Sequence, residues 1–178
     1  MARKQAHRPA SPQAPTSGLQ SSRIRSAWTA LETVADPEIP TLNIVELGMI
    51  VRVREQNDLV AVDLTPTFSG CPALELIQKE IIDALARAGM TGATVRIVYD
   101  PPWTTERISD EGRRKLKKFG LAPPATRCEG GTPDIEKTPC PYCNSSNTEM
   151  ESMFGPTLCR SIHYCHACHQ SFEHFKAV

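Results

Sequence analysis

The chain has 178 residues, 40% of them hydrophobic, and a formal net charge of zero. That is enough for one ordinary domain plus a small module, and the neutral balance excludes a general electrostatic pull towards nucleic acid or anionic membrane. No apolar run approaches the roughly 20 residues that cross a bilayer, so no membrane association and a cytoplasmic location are expected.

Residues 1–21 carry Arg3, Lys4 and Arg8, prolines at 9, 12 and 15, and no acidic residue. The stretch lacks both the apolar core of a secretory signal and the amphipathic face of a transit peptide, so it reads as a disordered tail. Ile24, Trp28, Leu31 and Ala35 then recur at helical spacing, which predicts a helix over 22–35. Asp36-Pro37-Glu38-Ile39-Pro40 cannot continue it. Its two prolines predict a stiff, partly extended loop that either holds Asp36 and Glu38 against a cation or is a solvated connection.

Met49, Val51 and Val53 alternate with Arg52 and Arg54, a polar Glu55-Gln56-Asn57-Asp58 follows, and Val60, Val62 and Leu64 alternate again. This is the pattern of a β-hairpin. Leu74, Ile77, Ile81, Leu85 and Ala88 place one apolar stripe on a helix ending near Gly89, and Val95, Ile97 and Tyr99 predict a third strand. Ser109 can cap a further helix with Asp110 and Glu111 in its first turn, Lys117 and Lys118 in its last, and Gly120 as its stop. Its basic cluster reads as a solvated face. Residues 122–137, rich in Pro, Gly and Thr, read as a linker.

Between the second hairpin strand and the following helix lies Thr65-Pro66-Thr67-Phe68-Ser69-Gly70-Cys71-Pro72. With Pro72 at the first helical position, Cys71 would sit where unpaired amides and the helix dipole favour an anion. The expectation is a depressed thiol pKa and a thiolate able to attack electrophiles or bind metal. The alternative is a small buried apolar residue without chemistry.

Seven cysteines without an export signal point to thiols and metal ligands rather than disulfides. Cys140-Pro141-Tyr142-Cys143 and Cys165-His166-Ala167-Cys168 are separated by 21 residues, the arrangement of two knuckles sharing one tetrahedral ion. Zinc is the expected structural metal, with iron or an iron–sulfur centre as its rival. Cys159, His163, His166, His169 and His174 crowd the same segment and read as surface or supporting groups, while Cys128 stands apart. Residues 138–178 hold Glu149, Glu151 and Glu173 against Arg160 and Lys176, which argues against nucleic-acid binding.

The blocks Asp36-Pro37-Glu38-Ile39-Pro40, Leu47-Gly48-Met49-Ile50, Thr65-Pro66-Thr67 with Ser69-Gly70-Cys71-Pro72, and Asp100-Pro101-Pro102-Trp103-Thr104 occur in this order. Together they resemble the MIP18 family, small α/β proteins linked to iron–sulfur cluster assembly. The cysteine ribbon, with Phe154-Gly155 before Cys159, narrows the resemblance to the PaaD family, found in bacterial phenylacetyl-CoA ring epoxidase systems. What this implies is an α/β (α+β) fold, a small sheet with packed helices over 22–121, followed by a zinc ribbon over 138–178. It further implies an accessory role, with Cys71, Asp36 and Glu38 handling transient iron or an iron–sulfur cluster for the other epoxidase subunits. A homo-oligomer is compatible with it. A scaffolding subunit without metal transfer and a Cys71-dependent thiol enzyme are the alternatives.

Overall fold

The computed structural model describes residues 21–124 and 138–176; the expected tail, most of the expected linker and Cys128 lie outside the described residues. Its first half is a three-stranded sheet, β1 (Ile50–Gln56), β2 (Leu59–Leu64) and β3 (Thr94–Ile97), with helices α1 (Ser22–Leu31), α2 (Leu74–Arg87) and α3 (Asp110–Phe119). β1 and β2 form the expected antiparallel hairpin, turning at Asn57 and Asp58, both at positive φ as a two-residue type I′ turn requires. β3 lies parallel to β2 because α2 carries the chain back along the sheet. Ile77, Ile81, Ala84 and Leu85 of α2 are buried with Val60, Val62 and Leu64 of β2, while Asp63 ties the three strands together through Arg54 at 2.9 Å and Arg96 at 3.1 Å.

α1 stops four residues short of the expected end. Thr33 and Val34 donate their amides to Ala30 and Leu31, three residues back, and the Thr33 hydroxyl donates to the Ala30 carbonyl at 2.7 Å. A threonine side chain that satisfies a helix carbonyl competes with the next helical turn. Ala35 instead pairs with Asn43. The 36–40 segment is likewise a closed turn and not extended. Asp36 Oδ1 accepts from the amides of Glu38 and Ile39, each at 2.9 Å, and the Asp36 amide donates to Leu42 O at 2.8 Å, so Ile39 drops into the core. The β3 strand ends at Ile97, leaving Tyr99 exposed. α3 has the expected Ser109 cap, with Oγ accepting from Gly112 N at 3.0 Å.

Four strands make the second sheet, β4 (Leu121–Ala122), β7 (Gln170–Phe175), β6 (Arg160–Cys165) and β5 (Thr148–Ser152) in that order. β4 leaves the end of α3 and pairs in parallel with β7, so residues before and after the 125–137 segment share one sheet. Phe175 of β7 packs on Trp103 at 5.9 Å and belongs to the same buried cluster as Leu47, Met49 and Leu121. The ribbon is docked against the first half of the chain by a common core.

Gly48 carries the connection from the 36–47 segment into β1 at φ +69, and a Cβ there would stand 2.3 Å from the Arg107 carbonyl oxygen. Arg107 cannot retreat, because its guanidinium donates to Gly48 O at 2.8 Å and to Ile50 O at 3.1 Å. Gly48→Ala is therefore expected to destabilise by about 3 kcal/mol or more, combining left-handed strain with a backbone clash. Gly89→Ala, at φ +81 with nothing within 4 Å, should cost only about 1–2 kcal/mol. Urea midpoints of the two variants check the difference.

Candidate metal centres

The first centre is built by two knuckles. Cys140 O accepts from Asn144 N at 2.9 Å and Cys165 O from His169 N at 2.8 Å, and the residue after each second cysteine, Asn144 or His169, stands at positive φ. Those turns aim all four sulfurs inward. The Sγ atoms of Cys140, Cys143, Cys165 and Cys168 lie within 4.8 Å of one another, with Cys140–Cys168 at 3.7 Å and Cys143–Cys165 at 3.5 Å. Sulfurs bonded at about 2.3 Å to one tetrahedral ion are about 3.8 Å apart, so the cage already has the size of a thiolate-bound metal.

The thiols are unequal. Against the desolvation of burial, the Cys168 and Ala167 amides and neighbouring sulfurs bring Cys165 down to about 6, whereas burial and its three sulfur neighbours push Cys168 up to about 12. Four like charges cannot gather there without a cation, so metal binding displaces protons.

The histidines have other work. His169 is the turn residue, its ring hydrogen-bonded to Tyr164 Oη at 3.2 Å. His163 and His174 are not at the surface; both are buried around Ser161 Oγ, at 3.0 and 3.4 Å. Burial first, and then His163, lowers His174 to about 4 from the ordinary 6.5. As pH falls the unfolded chain therefore takes up a proton before the folded one does. Stability is complete above about 6.5 and declines on the way to about 4. Urea unfolding at pH 5 should show a loss of roughly 2 kcal/mol relative to pH 7.5, absent in His174→Gln, with bound zinc assayed at both pH values.

The second centre is a cavity of about 230 Å³ between the two halves of the chain. The Asp36–Ile39 turn forms one wall, the Thr67–Pro72 loop another, and the β5–β6 loop from Phe154 to Cys159 closes it from the ribbon side, with Phe175 and Leu47 as apolar floor. All three expected residues, Cys71, Asp36 and Glu38, line it. Pro66, Phe68 and Gly70 turn the chain so that Cys71 N donates to Phe68 O at 3.1 Å and Cys71 O accepts from Leu74 N at 3.4 Å.

The expected thiolate is not there. Helix α2 starts at Leu74 with Ala73 as its cap, so Pro72 lies before the first helical position and Cys71 beyond the reach of most of the free amides. Burial, and then the charges of Glu38, Asp36 and Cys159, push the Cys71 thiol up, against one opposing hydrogen bond from the Ala73 backbone. Burial also raises Asp36, although the Glu38 and Ile39 amides and Arg160 oppose it. A site that crowds thiols and carboxylates in this way holds its protons until a cation replaces them.

Sequence reasoning missed the ribbon's contribution. Cys159 lines the same cavity, its Sγ 3.1 Å from Thr157 Oγ1 and 4.0 Å from Glu38 Oε2. Arg160 is buried next to it, bridging Glu38 O at 2.8 Å and Glu173 Oε2 at 2.7 Å. The signal was present in an odd fifth cysteine left over by the two knuckles, but only the docking shows what it faces.

Family models divide the chain as the geometry does. Residues 25–97 match one described as iron-sulfur cluster assembly protein, and residues 124–176 match the PaaD zinc beta ribbon domain. The class is thus an iron–sulfur assembly domain joined to a metal-binding ribbon. A subunit of the 1,2-phenylacetyl-CoA epoxidase of Escherichia coli K12 is 35% identical over 157 residues, covering 88% of this chain and 94% of that one. The chain belongs to that subunit's family. The Fe-S protein maturation auxiliary factor YitW of Bacillus subtilis is 39% identical over 82 residues, 45% of this chain and 79% of YitW. A crystal structure of a DUF59 domain from Bacillus anthracis is 29% identical, covering 52% of this chain and 89% of that one at a TM-score of 0.49. Among the described residues no helix is long and apolar enough to cross a membrane.

Proposed function

We propose that this protein is the accessory subunit of a bacterial phenylacetyl-CoA epoxidase system and helps the oxygenase components acquire their iron or iron–sulfur centres. The observation that carries this is the convergence of Cys71, Asp36 and Glu38 on one cavity. A sulfur donor beside hard carboxylate donors suits a borderline ion such as ferrous iron, and partial exposure of Cys71 lets the cargo enter and leave. Iron is the substrate here. Zinc is the resident ion of the four-cysteine cage, where it would hold the ribbon folded without chemistry of its own.

Within the cavity each residue has a distinct task. Asp36 uses Oδ1 to close its own turn, which fixes the carboxylate's direction and leaves Oδ2 outside those bonds. Arg160 holds the Glu38 backbone, so that side chain projects from a braced position. Cys71 gives up its proton when the cation arrives, and it regains one when the cation leaves. The raised thiol favours release over permanent storage.

A Cys71 nucleophile is disfavoured by the same facts. The two halves of the chain dock as a cysteine–histidine pair would need, yet the residues lining the cavity include no histidine, and the thiol is held protonated. The test is the iron content of the oxygenase component matured in cells whose only copy of this protein is Cys71→Ser. A fully loaded component would remove the transfer role and leave a scaffold.

A further inference from the structure

We propose that Cys159, contributed by the ribbon, is a second sulfur ligand of the cargo, so that ferrous iron is held between the two halves of the chain by Cys71, Cys159 and the carboxylates of Asp36 and Glu38. This rests on the cavity being the cargo site, and it assigns the ribbon a direct part in binding.

The geometry favours Cys159 for three reasons. First, its Sγ lies 4.0 Å from Glu38 Oε2, close to the roughly 3.6 Å that separates a sulfur and an oxygen on one tetrahedral ion. Second, its position is anchored at both flanks: Thr157 Oγ1 contacts the sulfur at 3.1 Å, Lys176 N donates to Cys159 O at 2.9 Å, and Arg160 is pinned to Glu38 and Glu173. Third, Cys159 is turned away from the ribbon's own metal cage, whose four sulfurs close a tetrahedron without it, and packs on the core of the first half instead.

Two thiolates and two carboxylates would bring four negative charges against the ion's two, and Arg160 offsets part of the excess. Apolar walls from Phe68, Phe154 and Leu158 limit water, while the half-exposed tips of that loop can move aside for release. Among the described residues only the four ribbon cysteines already lie within 4.8 Å of one another, so the cavity's four donors must close onto their ion by side-chain rotation. Such a site grips less firmly than the cage, as a carrier should.

The experiment is an anaerobic titration of zinc-loaded protein with ferrous iron, and separately with cobalt(II), for wild type, Cys71→Ser, Cys159→Ser and Cys159→Ala. Ribbon zinc and thermal unfolding serve as the folding controls. Each cysteine variant is expected to bind iron about 10- to 100-fold more weakly and to lose about half of the thiolate-to-cobalt charge-transfer absorbance. Wild-type behaviour in both Cys159 variants, with loss confined to Cys71→Ser, overturns the ligand role of Cys159 and leaves the cargo site standing. Unchanged binding in Cys71→Ser as well removes both. Should the Cys159 variants lose their zinc, wild-type protein decides: ferrous iron must shield Cys71 and Cys159 alike from alkylation, and an unshielded Cys159 refutes the proposal.

Discussion

Iron affinity of the purified protein is expected to fall about 10- to 100-fold when Cys71 becomes serine, and the oxygenase component matured beside that variant should leave the cell short of iron. Serine has nearly the same size, but its hydroxyl does not ionise near neutral pH and offers a hard neutral oxygen where the site needs a soft anion. The fold should be unaffected, because Cys71 is half-buried and its hydrogen bonds to Phe68 and Leu74 come from its backbone. Iron analysis of the oxygenase component, alongside an unchanged urea midpoint of the variant, distinguishes the outcomes. A scaffold would leave the component fully loaded. A thiol enzyme would lose thioester hydrolysis while iron content stayed normal.

Removing the ribbon metal, by chelation or by Cys165→Ser, should have a still larger effect on structure. Metal binding supplies on the order of 10 kcal/mol to such modules, more than the small core around Cys140, Cys165 and Phe172 can replace. The consequence should not stop at the ribbon. Phe175 and the Phe154–Cys159 loop are pieces of the cavity, and Phe175 covers Trp103, which is only 5% exposed and donates to Leu47 O at 2.8 Å. Chelated protein should therefore show red-shifted Trp103 emission and lose ferrous-iron binding together with its zinc, while Trp28, packed with α1 in the first half, keeps its environment. Unchanged emission and iron binding after complete zinc loss would mean that the ribbon stands without its ion.

Much of the first half was readable residue by residue. The hairpin, the α2 stripe from Leu74 to Leu85 and the capped helix at Ser109 are local patterns whose periodicity depends on near neighbours, and they appear within a residue or two of expectation. The errors fell where side chains override periodicity. Thr33 ended α1 early, and the Asp36 carboxylate folded an expected extended loop into a turn. The placement of Cys71 failed by only a few residues, yet its charge state reversed. A helix dipole acts over one turn, whereas burial and two nearby carboxylates act directly on the sulfur.

The chain's own order of residues determined the four-cysteine cage, since knuckle spacing is a local property that one ion satisfies wherever the knuckles meet. It also determined which side chains would be chemical: Cys71, Asp36 and Glu38. Tertiary structure alone decided that β4 would stitch the ribbon onto the first half, that Phe175 would share its core, and that Cys159 would face Glu38 across 121 positions of sequence. Contacts between distant segments follow from how two apolar faces fit together, and no spacing rule within either segment encodes that fit.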